Sequence, residues 1–217
     1  MKRLWVICLA LGLAGPLLGG CAVGNTYGFA NVVADVQAAG TATVVVATQD
    51  RREFIVSGDK TPDFVGLQRG GYGNPFNVST ESGKPLADAV SDAICASLQQ
   101  KGFKPLSIIV ATTHTPEQIR TGILNQKPQI GLMVYVIDWK TDTMANVGLK
   151  YELQLYVIDG AGNPIAESRV SGDENLGGSI WNPVKHAKKA VPAAFRDALE
   201  QLLNQDSVRA VLSAQQQ

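Results

Sequence analysis

The side chains of this chain that most often bind zinc and other soft metals are few: three cysteines and two histidines. His114 and His186 have no cysteine or second histidine at metal-ligand spacing, so we expect no metal site. Cys95 lies in an apolar helical pattern and is expected to be a small buried side chain rather than a catalytic thiol. No carboxylates can be assigned as an acid–base pair, and the G-x-S-x-G pattern of a nucleophile elbow does not occur. We therefore expect neither an enzyme nor a cofactor.

The third cysteine, Cys21, has surroundings that predict a covalent modification. Two basic residues open the chain, an apolar stretch runs from Leu4 to Leu18, and Leu18-Gly19-Gly20-Cys21 follows. This order resembles a lipobox, the motif at which bacterial lipoprotein signal peptides are cleaved. It predicts cleavage between Gly20 and Cys21 and attachment of lipid to the Cys21 sulfur. An ordinary secretory signal cut elsewhere, which would leave Cys21 as a plain thiol, is the alternative.

A lipid on Cys21 would attach the protein to a membrane. Each buried methylene contributes about 0.8 kcal/mol, so two or more acyl chains hold a protein stably. The apolar segment itself is too short for a comfortable span and is expected to be removed. The next residue is Ala22 rather than Asp, which in Gram-negative sorting favours the outer membrane, with the protein facing the periplasm.

Length and charge set limits on the rest of the chain. Of its 217 residues, the first 20 are assigned to the signal peptide, which leaves 17 basic and 19 acidic residues. This balance argues against a nucleic-acid partner. Residues 21–41, rich in small side chains, are predicted to be a lipidated flexible tether. Residues 42–213 are predicted to form a single domain, and residues 214–217 a frayed tail.

One glycine-rich segment could serve as a contact loop. Arg69, Tyr72 and Phe76 lie in and beside Arg-Gly-Gly-Tyr-Gly-Asn-Pro-Phe, and aromatic and arginine side chains favour interfaces. The segment lacks both the dinucleotide fingerprint and the P-loop pattern. A purely structural turn is the other interpretation.

Two further groups of residues have two interpretations each. Trp139 and Trp181 are expected in the core or at its edge, although either could line a groove. Lys185, Lys188 and Lys189 lie at the start of a predicted helix. They form either a solvated face or a contact with anionic head groups or glycan.

The hydrophobic pattern predicts the elements that must position these residues. Helices are expected over 84–101, 115–126, 182–204 and 206–212, with Pro192 kinking or splitting the third. Strands are expected at 43–46, 64–67 and 106–111, and a three-strand meander over 130–138, 146–158 and 164–171. The predicted fold class is α+β, a mainly antiparallel sheet with two or three helices packed on one side.

Several short motifs carry a resemblance to a known family. They are the Arg-x-Gly-Tyr-Gly loop at 69–74, Lys84-Pro85-Leu86, Lys101-Gly102-Phe103 and Gln205-Asp206-Ser207-Val208. In this order, over about residues 42–212, the chain resembles the YajG-like family of uncharacterised bacterial lipoproteins. The resemblance implies an envelope location and supplies no catalytic residues.

The sequence thus predicts a membrane-anchored bacterial lipoprotein that acts as a non-enzymatic binding or accessory module in envelope maintenance. Its partner would be another envelope protein or a second copy of the chain. The main alternative is a subunit of an oligomeric envelope or secretion assembly, in which an exposed sheet edge adds strands between subunits. An envelope hydrolase is the third hypothesis.

Overall fold

The computed structural model describes residues 25–214. Eight strands and five helices follow one another in this part of the chain: β1 (Thr26–Tyr27), β2 (Thr43–Asp50), α1 (Glu53–Val56), β3 (Phe64–Arg69), β4 (Pro75–Thr80), α2 (Leu86–Gln100), β5 (Lys104–Ile108), α3 (Pro116–Leu124), β6 (Ile130–Thr143), β7 (Asn146–Asp159), β8 (Pro164–Gly178), α4 (Pro183–Leu203) and α5 (Asp206–Ser213). No helix in this range has the length and apolar character needed to cross a bilayer.

The eight strands form one mixed sheet built around β6. One edge of β6 pairs in parallel with β2 over residues 130–136 and then with β3 over residues 141–143. Its other edge pairs with β7 in antiparallel fashion, and β7 pairs with β8. Outside these strands, β5 flanks β2, while β4 and β1 extend the sheet beyond β3. Four of the seven strand pairings are parallel, so the predicted mainly antiparallel sheet is wrong.

Helices cover both faces of the sheet, which corrects the prediction that they pack on one side. Alternate residues of β2 show this division: Val44 and Val46 belong to the larger core with α2, α4 and α5. Val45 and Ala47 belong to a smaller core on the opposite face, which α3 covers. The reason is topological. The connection from β2 to β5, which contains α2, runs toward one edge of the sheet, and the connection from β5 to β6, which contains α3, runs back past β2 in the opposite direction. Right-handed crossovers that run in opposite directions place their helices on opposite faces.

Local contacts fix one end of each of two predicted helices, α3 and α2. The Thr115 hydroxyl accepts from the backbone N–H of Gln118, and the Gln118 side chain accepts from the N–H of Thr115, which completes a capping box. Helix α2 ends before Gly102, whose φ of +91° is left-handed, and the N–H of Phe103 returns to the Leu98 carbonyl. Pro192 lies inside α4, which continues without a split from Pro183 to Leu203.

The segment predicted to be a flexible tether, residues 21–41, differs in its described part. Tyr27 pairs within β1, and Tyr27, Phe29 and Val36 are buried in the larger core. The Ala34 N–H donates to the Ser97 hydroxyl of α2 at 2.8 Å. Small residues here permit close packing against helices rather than flexibility, so the folded unit begins by Asn25. Of the tail predicted over 214–217, only Ala214 lies within the described residues.

A buried ion pair joins β2, β3 and β6. Arg52 is fully buried; its Nη2 lies 2.6 Å from Oδ2 of Asp50, and its Nε lies 2.9 Å from Oδ1. Its Nη1 also donates to the carbonyls of Phe64, at 2.6 Å, and Trp139, at 3.3 Å. The guanidinium therefore bonds to backbone at the point where β6 changes its partner from β2 to β3.

We predict that Arg52→Met lowers the free energy of unfolding by about 3–5 kcal/mol, because Asp50 is left buried without its counter-charge. Urea denaturation followed by circular dichroism measures this loss. The control is Arg196→Ala, which breaks the exposed pair with Asp197 and should change the free energy by no more than about 1 kcal/mol. Equal effects of the two substitutions would contradict a structural role for the buried pair.

Candidate functional site

The candidate site begins at the carboxyl end of β2. In open α/β sheets, ligands bind beyond the carboxyl ends of parallel strands where successive crossovers pass to opposite faces. Here that position lies between β2 and β5. It is occupied by the segment after β5, because Nε2 of the buried Gln49 donates to the carbonyls of Ala111, at 2.9 Å, and His114, at 2.8 Å. The cavity on this face of the sheet therefore lies over the neighbouring strands β6 and β7.

Arg51 lies on the same face as Gln49 and lines this cavity. Its Nε donates to Oε1 of Gln49 at 2.7 Å, and its Cζ lies 3.6 Å from the centroid of the Tyr135 ring. Tyr135 of β6 in turn meets Tyr156 of β7 edge-on, with 5.8 Å between ring centroids. Strand alternation thus places an arginine and two phenols side by side.

These residues line a cavity of about 230 Å³. Its wall includes Arg120 from α3 and an apolar part formed by Pro116, Met133, Ile158 and Pro164. Within residues 25–214, neither Arg51 nor Arg120 has a carboxylate within 4.0 Å. The Arg120 Nε is buried and has no hydrogen-bond partner among the described residues. Two guanidinium groups thus face one small, partly apolar space.

Electrostatics in the cavity favour an anion. Burial raises the pKa of the Tyr135 phenol above its ordinary value, and the charge of Arg51 acts against this shift. The phenol is therefore protonated at neutral pH and can donate a hydrogen bond. Glu117, near Arg120 on α3, is the nearby acid; its pKa is lowered by its own backbone N–H and by Thr115, so its carboxylate is ionised. Guanidinium groups bind carboxylates and phosphates through paired hydrogen bonds.

Cys95, His114 and His186, which were expected to have no catalytic or metal-binding role, have environments typical of structural side chains. Burial and the negative charge of Asp92 raise the pKa of the Cys95 thiol to about 11, so the thiolate is scarce near neutrality. His114 accepts from the Ala111 N–H, and Nε2 of His186 lies 2.9 Å from the Leu176 carbonyl. Across the described part of the chain, no three histidine, cysteine or acidic side chains converge on a point where a metal could sit.

The proposed contact loop is a β-hairpin between β3 and β4. Arg69 forms a two-point ion pair with Asp142, in which its Nε lies 2.7 Å from Oδ1, so its guanidinium is already occupied. Tyr72 is fully exposed at the turn and Phe76 is partly exposed on β4. The hairpin therefore does not bring the three side chains together around one ligand, and its role as a contact loop stays a prediction. Cys21, the predicted site of lipid attachment, and Gly20, at the predicted cleavage position, lie outside the described residues.

Trp139 and Trp181, expected together in the core, have opposite environments. Trp139 is fully buried against Phe195, whereas Trp181 is 96% exposed in the segment between β8 and α4. The core assignment of Trp181 is therefore wrong. Nothing in its local sequence, Ser-Ile-Trp-Asn-Pro, distinguishes an exposed from a buried tryptophan.

Sequence reasoning missed the cavity. Side chains alternate between the two faces of a strand, so β2 and the residue after it place Gln49 and Arg51 on the face of Val45 and Ala47. The signal that could have been used is a charged residue at the end of a buried strand. The pairing of β2 with β6, which brings Tyr135 to Arg51, is not encoded in any local pattern.

Comparisons with known proteins give the fold a weak context. No family model matches the sequence, and no curated protein matches it. Among solved structures, the chain is similar to a Xanthomonas campestris protein of the DUF330 family, with 14% identity, a TM-score of 0.49, and coverage of 88% of this chain and 94% of that one. It is also similar to the PelC dodecamer of Paraburkholderia phytofirmans, with 16% identity, a TM-score of 0.40, and coverage of 78% and 93%.

We predict that the cavity binds an amphipathic anion such as 8-anilinonaphthalene-1-sulfonate. Arg51→Ala and Arg120→Ala should each weaken its binding by about tenfold or more, because a charge-assisted hydrogen bond contributes about 1.5–3 kcal/mol. Fluorescence titration measures the affinity, and unchanged thermal melting shows that each variant is folded. Arg196→Ala, which removes an exposed arginine on α4, is the control; a similar loss in that variant would show that binding is nonspecific.

Proposed function

We propose that this chain is a bacterial lipoprotein that is attached to the outer membrane through Cys21 and faces the periplasm. Its folded domain acts as a non-enzymatic binding module in the cell envelope. The lipobox sequence supports the anchor, and the resemblance to YajG-like lipoproteins, which rests on sequence motifs, agrees with it. The observation that carries the binding role is the cavity in which Arg51 and Arg120 face Tyr135 and Tyr156.

The chemistry of the cavity supports binding over catalysis. A hydrolase needs a nucleophile or an activated water beside a base, and the polar groups of this wall are two guanidinium groups and two phenols. Arginines hold an anionic group, while the apolar wall accommodates hydrocarbon or a ring. The proposed ligand class is therefore a small amphipathic anion, carrying a carboxylate or phosphate.

The anchor is tested by mass spectrometry of the mature protein from a Gram-negative host. We expect an N-terminal peptide that begins at Cys21 and carries the mass of a diacylglycerol with a further acyl chain. Cys21→Ser should abolish this mass and release the protein from the membrane fraction. A native N-terminus without lipid mass would contradict the proposal, and the Cys95→Ser variant, which should keep the lipid, is the matched control.

The second candidate function is that of a subunit in a homo-oligomeric envelope assembly. Within the described residues, β5 pairs only with β2 and leaves one edge free. Beside that edge, Leu106 is half-exposed and Ile109 almost fully exposed. The other long edge, on β8, is partly occupied, because the side chains of Gln205 and Ser207 donate to its carbonyls. An open strand edge with apolar neighbours can accept a strand from a second copy.

Light scattering of the detergent-solubilised protein tests this assembly. If copies meet at β5, Ile109→Lys and Leu106→Lys should shift the mass from oligomer to monomer, since each places a charge at the contact. Ile165→Lys, at a similarly exposed position at the start of β8, should leave the oligomer intact. A wild-type protein that is monomeric at every concentration would exclude this candidate.

A further inference from the structure

One end of the sheet collects exposed apolar side chains from three separate segments. The β3–β4 hairpin contributes Tyr72 and Phe76, the β6–β7 turn contributes Met144, and the segment after β8 contributes Ile180 and Trp181. We name these five residues the tip surface. They make up five of the nine large apolar side chains that are exposed among residues 25–214.

Strand pairing brings the three segments together. Gln68, near the end of β3, pairs with Thr143 at the end of β6. Asn146, at the start of β7, pairs with Gly178 at the end of β8, and the Ser179 N–H donates to the Ala145 carbonyl at 3.1 Å. The turns are therefore neighbours at one end of the sheet, whereas the β7–β8 turn lies at the other end.

The described chain also begins near this end. β1 runs parallel to β4, with Thr26 beside Ser79, and the Tyr27 hydroxyl lies 3.3 Å from that of Thr143. Because β4 starts at the hairpin turn, the direction of β1 shows that the chain enters from the side of the tip surface.

Chain length limits where a lipid on Cys21 could lie. Four peptide links separate Cys21 from Asn25, and at about 3.8 Å each they reach no more than about 15 Å. The opposite end of the sheet is much farther. Asn25 lies near the level of Thr141, and the 11 residues from Thr141 back to Ile130, at the other end of β6, span about 36 Å. A lipid on Cys21 can therefore place the tip surface at a bilayer and cannot place the opposite end there.

The chemistry of this end suits a lipid–water interface. Tryptophan and tyrosine concentrate where acyl chains meet head groups, because their rings are apolar and their N–H or O–H groups stay hydrated. Lys185, Lys188 and Lys189 follow within the first turns of α4; they are exposed and have no carboxylate within 4.0 Å among the described residues. Near an anionic leaflet each lysine contributes about 1 kcal/mol.

We propose that the tip surface inserts into the interface of the bilayer that holds the Cys21 lipid, with Trp181 as its main anchor. This inference rests on the proposed lipid attachment. The occupant of the exposed patch is the membrane itself, and the contact fixes the orientation of the domain, which a lipid alone would leave free to rotate.

Tryptophan fluorescence tests the insertion directly. After signal cleavage the chain contains two tryptophans, Trp139 and Trp181, and Trp139 is buried. The lipidated protein is reconstituted into vesicles of phosphatidylethanolamine and phosphatidylglycerol, with or without brominated phosphatidylcholine. We expect the bromine to quench wild-type emission and to leave Trp181→Phe emission unchanged.

A second variant controls for nonspecific contact. In the Trp181→Phe background, Ile165→Trp places an exposed tryptophan at the opposite end of the sheet, and we expect no quenching there. Flotation with the vesicles but unquenched Trp181, or equal quenching at position 165, would overturn the insertion while leaving the lipid anchor in place. Failure of the wild-type protein to float would overturn the anchor and this inference with it.

Discussion

The sheet depends on the ion pair and the backbone hydrogen bonds that the buried Arg52 guanidinium forms. Strand β6 has to leave β2 after Val136 and meet β3 at Thr141, and between these points this edge pairs with no strand of residues 25–214. The Arg52 guanidinium fills the gap: it donates to the carbonyls of Trp139 and Phe64 while Asp50 neutralises its charge. The carbonyls of Phe64 and Trp139 thereby accept hydrogen bonds from a charged donor. Two short strands can consequently share one edge of a 14-residue strand.

The same junction determines the cavity. Asp50 and Arg52 are held in the interior, and strand alternation directs the intervening Arg51 to the opposite side, over Tyr135. Gly66 lies at a bulge in the pairing of β3 with β4 and is the first residue of β3 that pairs with β6. A Cβ there would come within 2.5 Å of the Thr141 carbonyl, so this close approach requires glycine. The positions of Arg52 and of Arg51, which lines the cavity, are therefore coupled. A sheet that paired differently at this point would lose both.

Local patterns predicted the elements well, and non-local pairing limited the rest. The capping box at Thr115 and the left-handed Gly102 involve residues a few positions apart, so the sequence contains them. The partner of β2 does not follow from such patterns, because parallel pairing joins β2 to β5 and β6 across long stretches of chain. For the same reason the local patterns predict a mainly antiparallel sheet, which the parallel pairing of β2 with β5 and β6 contradicts. The cavity was missed because Arg51 and Tyr135 become neighbours only through that pairing.

Placing the tip surface on a bilayer also gives the cavity a direction. Arg51 lies over Tyr135, which is eight residues before Thr143 at the end of β6, and this corresponds to about 26 Å of strand. The cavity would then lie well beyond a Debye length, about 8 Å at physiological ionic strength, from the head groups. Anionic lipids of the leaflet would thus be screened from Arg51 and Arg120 and could not compete for them through space. The lysines of α4 lie at the other end, near the tip surface. The proposed membrane contact and the proposed anion-binding cavity would therefore lie apart on one sheet. The lysines of α4 would contact anionic lipids, while Arg51 and Arg120 would bind a soluble anion.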